Sequence, residues 1–313
     1  MSAVPPPGAD GDGSGARARA EALRRRTGMS PRTFAASVLL PLACAVVIVA
    51  TLALAPADDR STIVWATVVA IASGVAATSI GVYGGVLVPG LLLLGIDPRF
   101  AAAASLFLQV LVIPLGASAH YKLGNVTRRV AVPLIVGGMA GAFIGPFFAV
   151  ALPKETSARI VSGVIILVGL LVLATLRWGG LRSVLPIDRV SRLRIGGVGL
   201  TAGFASGVSG AGWGPIGVKL LILLRIEPRI AIGSSLVGRV FMAGAAVVGY
   251  LVSATAFRDV AIDLYLLAPM LAGSVAAMVP GAFLVTKLGR ETATIGITLL
   301  SIGLAIPTFV FGV

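Results

Sequence analysis

The sequence predicts an all-α integral membrane protein. It is organised as two homologous inverted repeats, each a glycine-broken re-entrant helix hairpin plus three transmembrane helices, with one extra N-terminal transmembrane helix. Three observations predict this. The 313-residue chain is 57% hydrophobic and only 12% charged, with a mean hydropathy of +1.02, whereas a soluble domain carries roughly 25% charged residues. Apolar segments recur at 62–96, 99–121, 130–151, 157–177, 194–226, 229–254, 261–286 and 292–312. The chain also repeats itself: Ile96-Asp97-Pro98-Arg99 returns as Ile226-Glu227-Pro228-Arg229, with Ser105-Leu106 opposite Ser235-Leu236 and Gln109 opposite Arg239. Farther on, Gly137, Gly145, Glu155 and Thr156 match Gly273, Gly281, Glu291 and Thr292.

Residues 1–32 are rich in Pro, Gly, Ala and Arg and read as a disordered basic cytoplasmic tail. The apolar run in 33–56 reads as the extra helix. Its end, Ala55-Pro56-Ala57, has the small residues of a signal cleavage site, but its core exceeds the ~7–15 residues of a signal peptide, so a retained helix is expected. Met29 offers an alternative start. Residues 62–177 form the first repeat, 178–193 an Arg-rich cytoplasmic linker, and 194–313 the second repeat. Such duplication is a common plan of secondary transporters.

The threading follows from charge. If 62–96 and 194–226 each crossed once, the inner side would carry 13 Lys/Arg and the outer side 10. If each turns back at its glycines, Gly81–Gly85 or Gly207–Gly214, the counts become 18 inside and 5 outside, as the positive-inside rule requires. Length agrees, since 33 residues are too many for one crossing and too few for two. Seven full spans and two hairpins result, with the N-terminus cytoplasmic. An odd number of crossings per repeat inverts the second repeat relative to the first.

The second break, Gly207-Val-Ser-Gly-Ala-Gly-Trp-Gly-Pro-Ile-Gly-Val-Lys219, carries the candidate chemistry. Its glycines and Pro215 make an unbroken helix costly, and Lys219 follows close behind. Pro98 to Gln109 and Pro228 to Arg239 is each 11 residues, about 16 Å of helix, or half of a ~30 Å apolar core. Gln109 and Arg239 are therefore expected at mid-depth, with Ser105 and Ser235 one turn earlier. No Asp or Glu lies in the middle of an apolar segment, so the counter-ion of Arg239 is expected to be the substrate. The expected substrate-binding set is Arg239, Lys219, Ser235, Ser209, Gly210, Gly212, Trp213, Gly214, Gln109, Ser105, Gly84 and Gly85. Only the second tip carries cations, so the site is asymmetric. The bland readings are a snorkelling lysine, close packing through glycine and, for His120, an interfacial structural histidine.

The net charge of +13 sits between apolar segments, as topology signals do, rather than on a nucleic-acid face. One Cys, one His and no intramembrane carboxylate supply no metal, cofactor or acid–base set, so an enzyme is not expected. The expected partners are a small anion and the lipid bilayer of the cytoplasmic membrane; a homo-oligomer is left open.

Together these features resemble the sulfite exporter TauE/SafE family over about residues 62–312. The likeness lies in Gly81-Val-Tyr-Gly-Gly-Val-Leu-Val-Pro89, Gly95-Ile-Asp-Pro98, Ala101–Leu106, His120-Tyr-Lys-Leu-Gly-Asn-Val126, the glycines 137, 141 and 145, Gly203-Phe204, Ser206-Gly207 and Gly210-Ala-Gly-Trp-Gly214. The resemblance implies secondary transport of small sulfur-containing anions such as sulfite, sulfonates or sulfoacetate-like compounds. Trp213, Pro215 and Lys219 depart from the family pattern. The alternatives are an anion channel and a permease for a non-sulfur anion such as a carboxylate.

Overall fold

The structure is a computed structural model whose described residues are 31–122, 124–178, 185–253, 264–278, 281 and 290–312. Most of the expected tail and the middle of the linker lie outside them. Among the described residues every regular element is a helix: α1 (Pro31–Leu54), α2 (Arg60–Ile80), α3 (Gly84–Leu93), α4 (Pro98–Lys122), α5 (Arg128–Ala151), α6 (Lys154–Trp178), α7 (Arg192–Ser209), α8 (Trp213–Leu223), α9 (Pro228–Val252), α10 (Leu264–Ala276) and α11 (Arg290–Phe311). Short 3₁₀ turns occupy Ala57–Asp59 and Ile187–Arg189.

Among the described residues five stretches are long and apolar enough to cross a membrane: Ala57–Thr78, Arg128–Ala151, Lys154–Ala174, Pro228–Val252 and Glu291–Phe311. Shorter apolar helices lie at Leu39–Leu54, Gly84–Leu93, Pro98–Pro114 and Leu264–Ala276. The expected seven crossings use α1, α4 and α10 and omit α2, so the two counts differ in membership. Length alone does not decide α2, because its 21 residues would span about 31 Å. Large side chains such as Val136, Leu167, Leu251 and Phe311 stand exposed, the surface a bilayer would cover.

The acidic residue before each proline opens a long helix. Arg99 N–H donates to Asp97 Oδ1 at 2.8 Å at the start of α4, a cap that satisfies one of the amides left unpaired at a helix start. At α9 Pro228 takes the first helical position, while Glu227 pairs with Arg229 at 3.4 Å. The repeat extends to backbone conformation. Gly95 (φ +78) and Arg225 (φ +63) both follow a short helix, and Arg225 is the one non-glycine with positive φ among the described residues. Leu185 N–H donates to the Arg225 carbonyl at 2.9 Å, which ties the turn after α8 to the stretch before α7.

Glycine decides how the halves pack. Each first limb lies on a helix of the other half: α7 on α5, and α2 on α10. A Cβ on Gly137, Gly141 or Gly145 of α5 would strike main-chain atoms of α7, and one on Gly199, Gly203 or Gly207 would strike α5. The same closeness recurs where Gly74 of α2 meets the Ser274 carbonyl. The small-residue packing that membranes favour thus builds both interfaces. α4 and α9 cross in opposite senses: Gly233 near the start of α9 abuts Asn125 just past the end of α4, and α9 meets α4 again at Arg239 and Gln109.

Candidate functional site

Two helix breaks meet at the centre. α2 ends at Gly81 (φ +79) and α7 at Gly210 (φ +67), left-handed caps where glycine avoids the Cβ penalty. After each cap the chain turns back. Gly90 of α3 lies against Val69 of α2, and Gly217 of α8 against Ala202 of α7. A Cβ on Gly84 would overlap the Gly210 carbonyl, and one on Gly214 would lie 2.9 Å from the Gly81 carbonyl oxygen and 3.3 Å from Arg239 Nη1.

The central helices hold these tips crosswise. From α4, Ser105 Oγ and Gln109 Nε2 donate to the Gly210 carbonyl at 2.9 and 3.0 Å, and Gln109 Nε2 also donates to Ser105 Oγ at 2.9 Å. From α9, Arg239 Nη1 donates to the Gly81 carbonyl at 2.8 Å, and Nε donates to Gln109 Oε1 at 2.8 Å. Each half's central helix therefore grips the other half's tip.

Arg239 is only 4% exposed. Its hydrogen bonds go to neutral oxygens, and among the described residues the ion pairs are Arg99–Asp97, Arg129–Asp188 and Arg229–Glu227, all near helix ends. A buried unpaired cation costs several kcal/mol. The first turn of the 11-residue α8 stands beside it, adding unpaired amides and the positive end of a helix dipole. Two positive features converge where, among the described residues, no negative one pairs with Arg239. This is chemistry for receiving an anion.

The other residues singled out in the sequence divide. Ser105, Gln109, Gly84, Gly210, Gly214 and Arg239 come together. Gly85 lies behind the first tip, close to Val82 and Ser301, and Gly212 packs on Ala205. Ser209 Oγ donates to the Ala205 carbonyl at 2.6 Å and accepts from Ala211 N–H at 3.2 Å, shaping the second tip. Ser235 Oγ is fully buried with no hydrogen-bond partner among the described residues. Trp213 is fully buried. Its Nε1–H donates to the Ser235 carbonyl at 2.9 Å, and its ring fills space left by Gly138 and Gly238; the indole is turned into the packing of α5, α8 and α9. Lys219 is half-buried, five residues beyond Gly214, so it stands about 140° round α8 from the face that meets Arg239. His120 Nδ1 lies 3.3 Å from Asn125 Nδ2 in the turn after α4.

The expected set omits Gly81, whose carbonyl anchors the guanidinium. Its match to Gly210 across the repeat was the available signal. It also omits Tyr83, a fully buried tip residue whose hydroxyl meets Ser274 Oγ at 2.8 Å, and nothing in the sequence marks that pair. Beside the tips a cavity of about 20 Å³, edged by Val82, Gly85, Ala211, Thr298 and Ser301, has room for roughly one water. Arg239 is shut off from solvent in this conformation.

A glycine-packed helical bundle whose broken segments meet at a buried cation, with several helices long and apolar enough to cross a bilayer, defines a multi-pass membrane protein. The profile of the family described as sulfite exporter TauE/SafE matches residues 66–308, and the chain belongs to that family of membrane transporters. It is 29% identical over 215 residues to the probable membrane transporter protein YtnM of Bacillus subtilis (strain 168), covering 67% of this chain and 70% of that one. It is 27% identical over 173 residues to the probable membrane transporter protein YdhB of the same organism, covering 53% and 66%. No solved structure matches the chain.

Proposed function

We propose that the protein is a secondary transporter that moves a small sulfur-containing anion, inorganic like sulfite or organic like a sulfonate, across the cytoplasmic membrane by alternating access. The family supports the class of solute. The observation that carries the anion site is Arg239, buried beside the start of α8 and, among the described residues, bonded to neutral oxygens. The moving parts are two inverted repeats, a reading supported by the opposed α4 and α9 and by tips that each pack on the other half. On this reading α2–α3 and α7–α8 are re-entrant hairpins entering from opposite faces, and the N-terminus is cytoplasmic.

The test is a thermal-shift screen of sulfite, thiosulfate, sulfonates and carboxylates on purified protein, followed by counterflow in liposomes. Sulfur anions should stabilise the native protein and Arg239→Gln should lose that response. Saturable counterflow supports a transporter, and flux without counterflow indicates a channel. Binding unchanged in Arg239→Gln would reject the site.

A further inference from the structure

Gln109 is held in one orientation by its neighbours. Its Nε2 serves two acceptors, the Gly210 carbonyl and Ser105 Oγ, and Ser105 spends its own proton on that same carbonyl. The atom facing Arg239 Nε must therefore be the amide oxygen. Two carbonyl oxygens, Gln109 Oε1 and Gly81 O, thus occupy guanidinium donors that an oxyanion would use. These two groups are also what fasten the tips: Gly81 is the first tip, and Gln109 grips the second through Gly210.

We propose that Gln109 is a positioning residue that stands in for the anion while the site is closed and couples anion arrival to release of both tips. An oxyanion forms stronger, charge-assisted bonds to the guanidinium than a neutral carbonyl does, so it takes over these donors. Gly81 is freed directly. Gln109 loses the partner that holds it in place, and with it the grip on Gly210 weakens. The amide has to be neutral for this exchange, since a carboxylate at position 109 would outcompete the solute. The proposal rests on Arg239 being the anion-binding residue.

The experiment compares the wild-type chain with Gln109→Glu, Gln109→Met and Arg239→Gln, purified at full length, using sulfite and methanesulfonate as probes in equilibrium binding and thermal shift. Gln109→Glu should melt higher than wild type without ligand and bind sulfite at least about tenfold more weakly. Gln109→Met, neutral and without an acceptor, should keep or tighten binding. A purely structural glutamine would instead make both variants less stable and equally impaired. Wild-type sulfite affinity in Gln109→Glu, failure of that variant to fold, or equal loss of binding in Gln109→Met overturns the proposal. Wild-type binding in Arg239→Gln instead overturns the anion site itself, a separate outcome.

Discussion

Gly84 and Gly210 touch tip to tip, so closely that a methyl group on Gly84 would overlap the Gly210 carbonyl oxygen and lie 2.9 Å from the Ala211 Cα. The obstacle is main chain, which cannot swing aside as a side chain would. Gly84→Ala should therefore force the tips apart, cost about 1–3 kcal/mol, and lower the melting temperature and the anion response together. Gly244→Ala, on a helix where a Cβ meets nothing within 4 Å, should be neutral or slightly stabilising by scanning fluorimetry.

Trp213 separates a packing role from a binding role. Its ring is fully enclosed, so Trp213→Ala should cost about 3–5 kcal/mol. Trp213→Phe keeps most of the volume but leaves the Ser235 carbonyl without its donor, a loss of about 1–3 kcal/mol. If the indole only packs, the Phe variant should melt lower yet keep sulfite affinity within about threefold. Loss of affinity without loss of stability would return the ring to the binding site.

The two cations near the second tip should behave differently. Lys219 is turned about 140° away from the face of α8 that meets Arg239. Lys219→Gln is expected to weaken anion binding by no more than about threefold, against at least about tenfold for Arg239→Gln. Titration calorimetry with sulfite would show it, and equal losses would mean that α8 rotates when the site is occupied.

The helical class, the glycine breaks and the paired helix starts at Pro98 and Pro228 were legible because each rests on local chemistry: apolar length, the missing Cβ, the fixed φ of proline. The opposition of Gln109 and Arg239 was legible because duplication carries a spatial relation as a sequence offset. The carbonyl of Gly81 was not. A main-chain acceptor has no sequence signature, and its role appears only once α9 has crossed α4. The surroundings of Trp213 were hidden for a related reason: a tip aromatic reads as a wall of the site, and only the fold shows Gly138 and Gly238, on two other helices, making space for its ring. Nor could hydropathy settle α2, whose 21 residues are long enough to cross; its end beside Arg239 is a tertiary fact.

The proposed orientation has its own check. Arg129 pairs with Asp188 at 3.3 Å and Leu185 bonds Arg225, so the loop before α5, the linker and the turn after α8 share one end of the bundle. In a Cys44→Ser background, a cysteine at Asp188 should escape a membrane-impermeant maleimide in intact cells and react in inside-out vesicles. One at Lys154, at the other end of α5, should do the reverse. The opposite pattern would invert the protein in the membrane.

The crosswise grip permits a charge swap. Gln109 Nε2 reaches the Gly210 carbonyl as Arg239 Nη1 reaches that of Gly81, and the two residues are partners at the crossing of α4 and α9. An arginine at 109 has a carbonyl waiting for it, and a glutamine at 239 can accept its Nε–H as Gln109 now does for Arg239. Arg239→Gln alone removes the cation, and Gln109→Arg alone sets two guanidinium groups together in a buried site, which should destabilise the protein by several kcal/mol. The double variant restores one cation to the same crossing. It should melt close to wild type and recover sulfite binding to within about tenfold, measured against both single variants. Recovery of stability without recovery of binding would show that the start of α8, which lies against Arg239, stabilises the anion only when the cation stands at position 239.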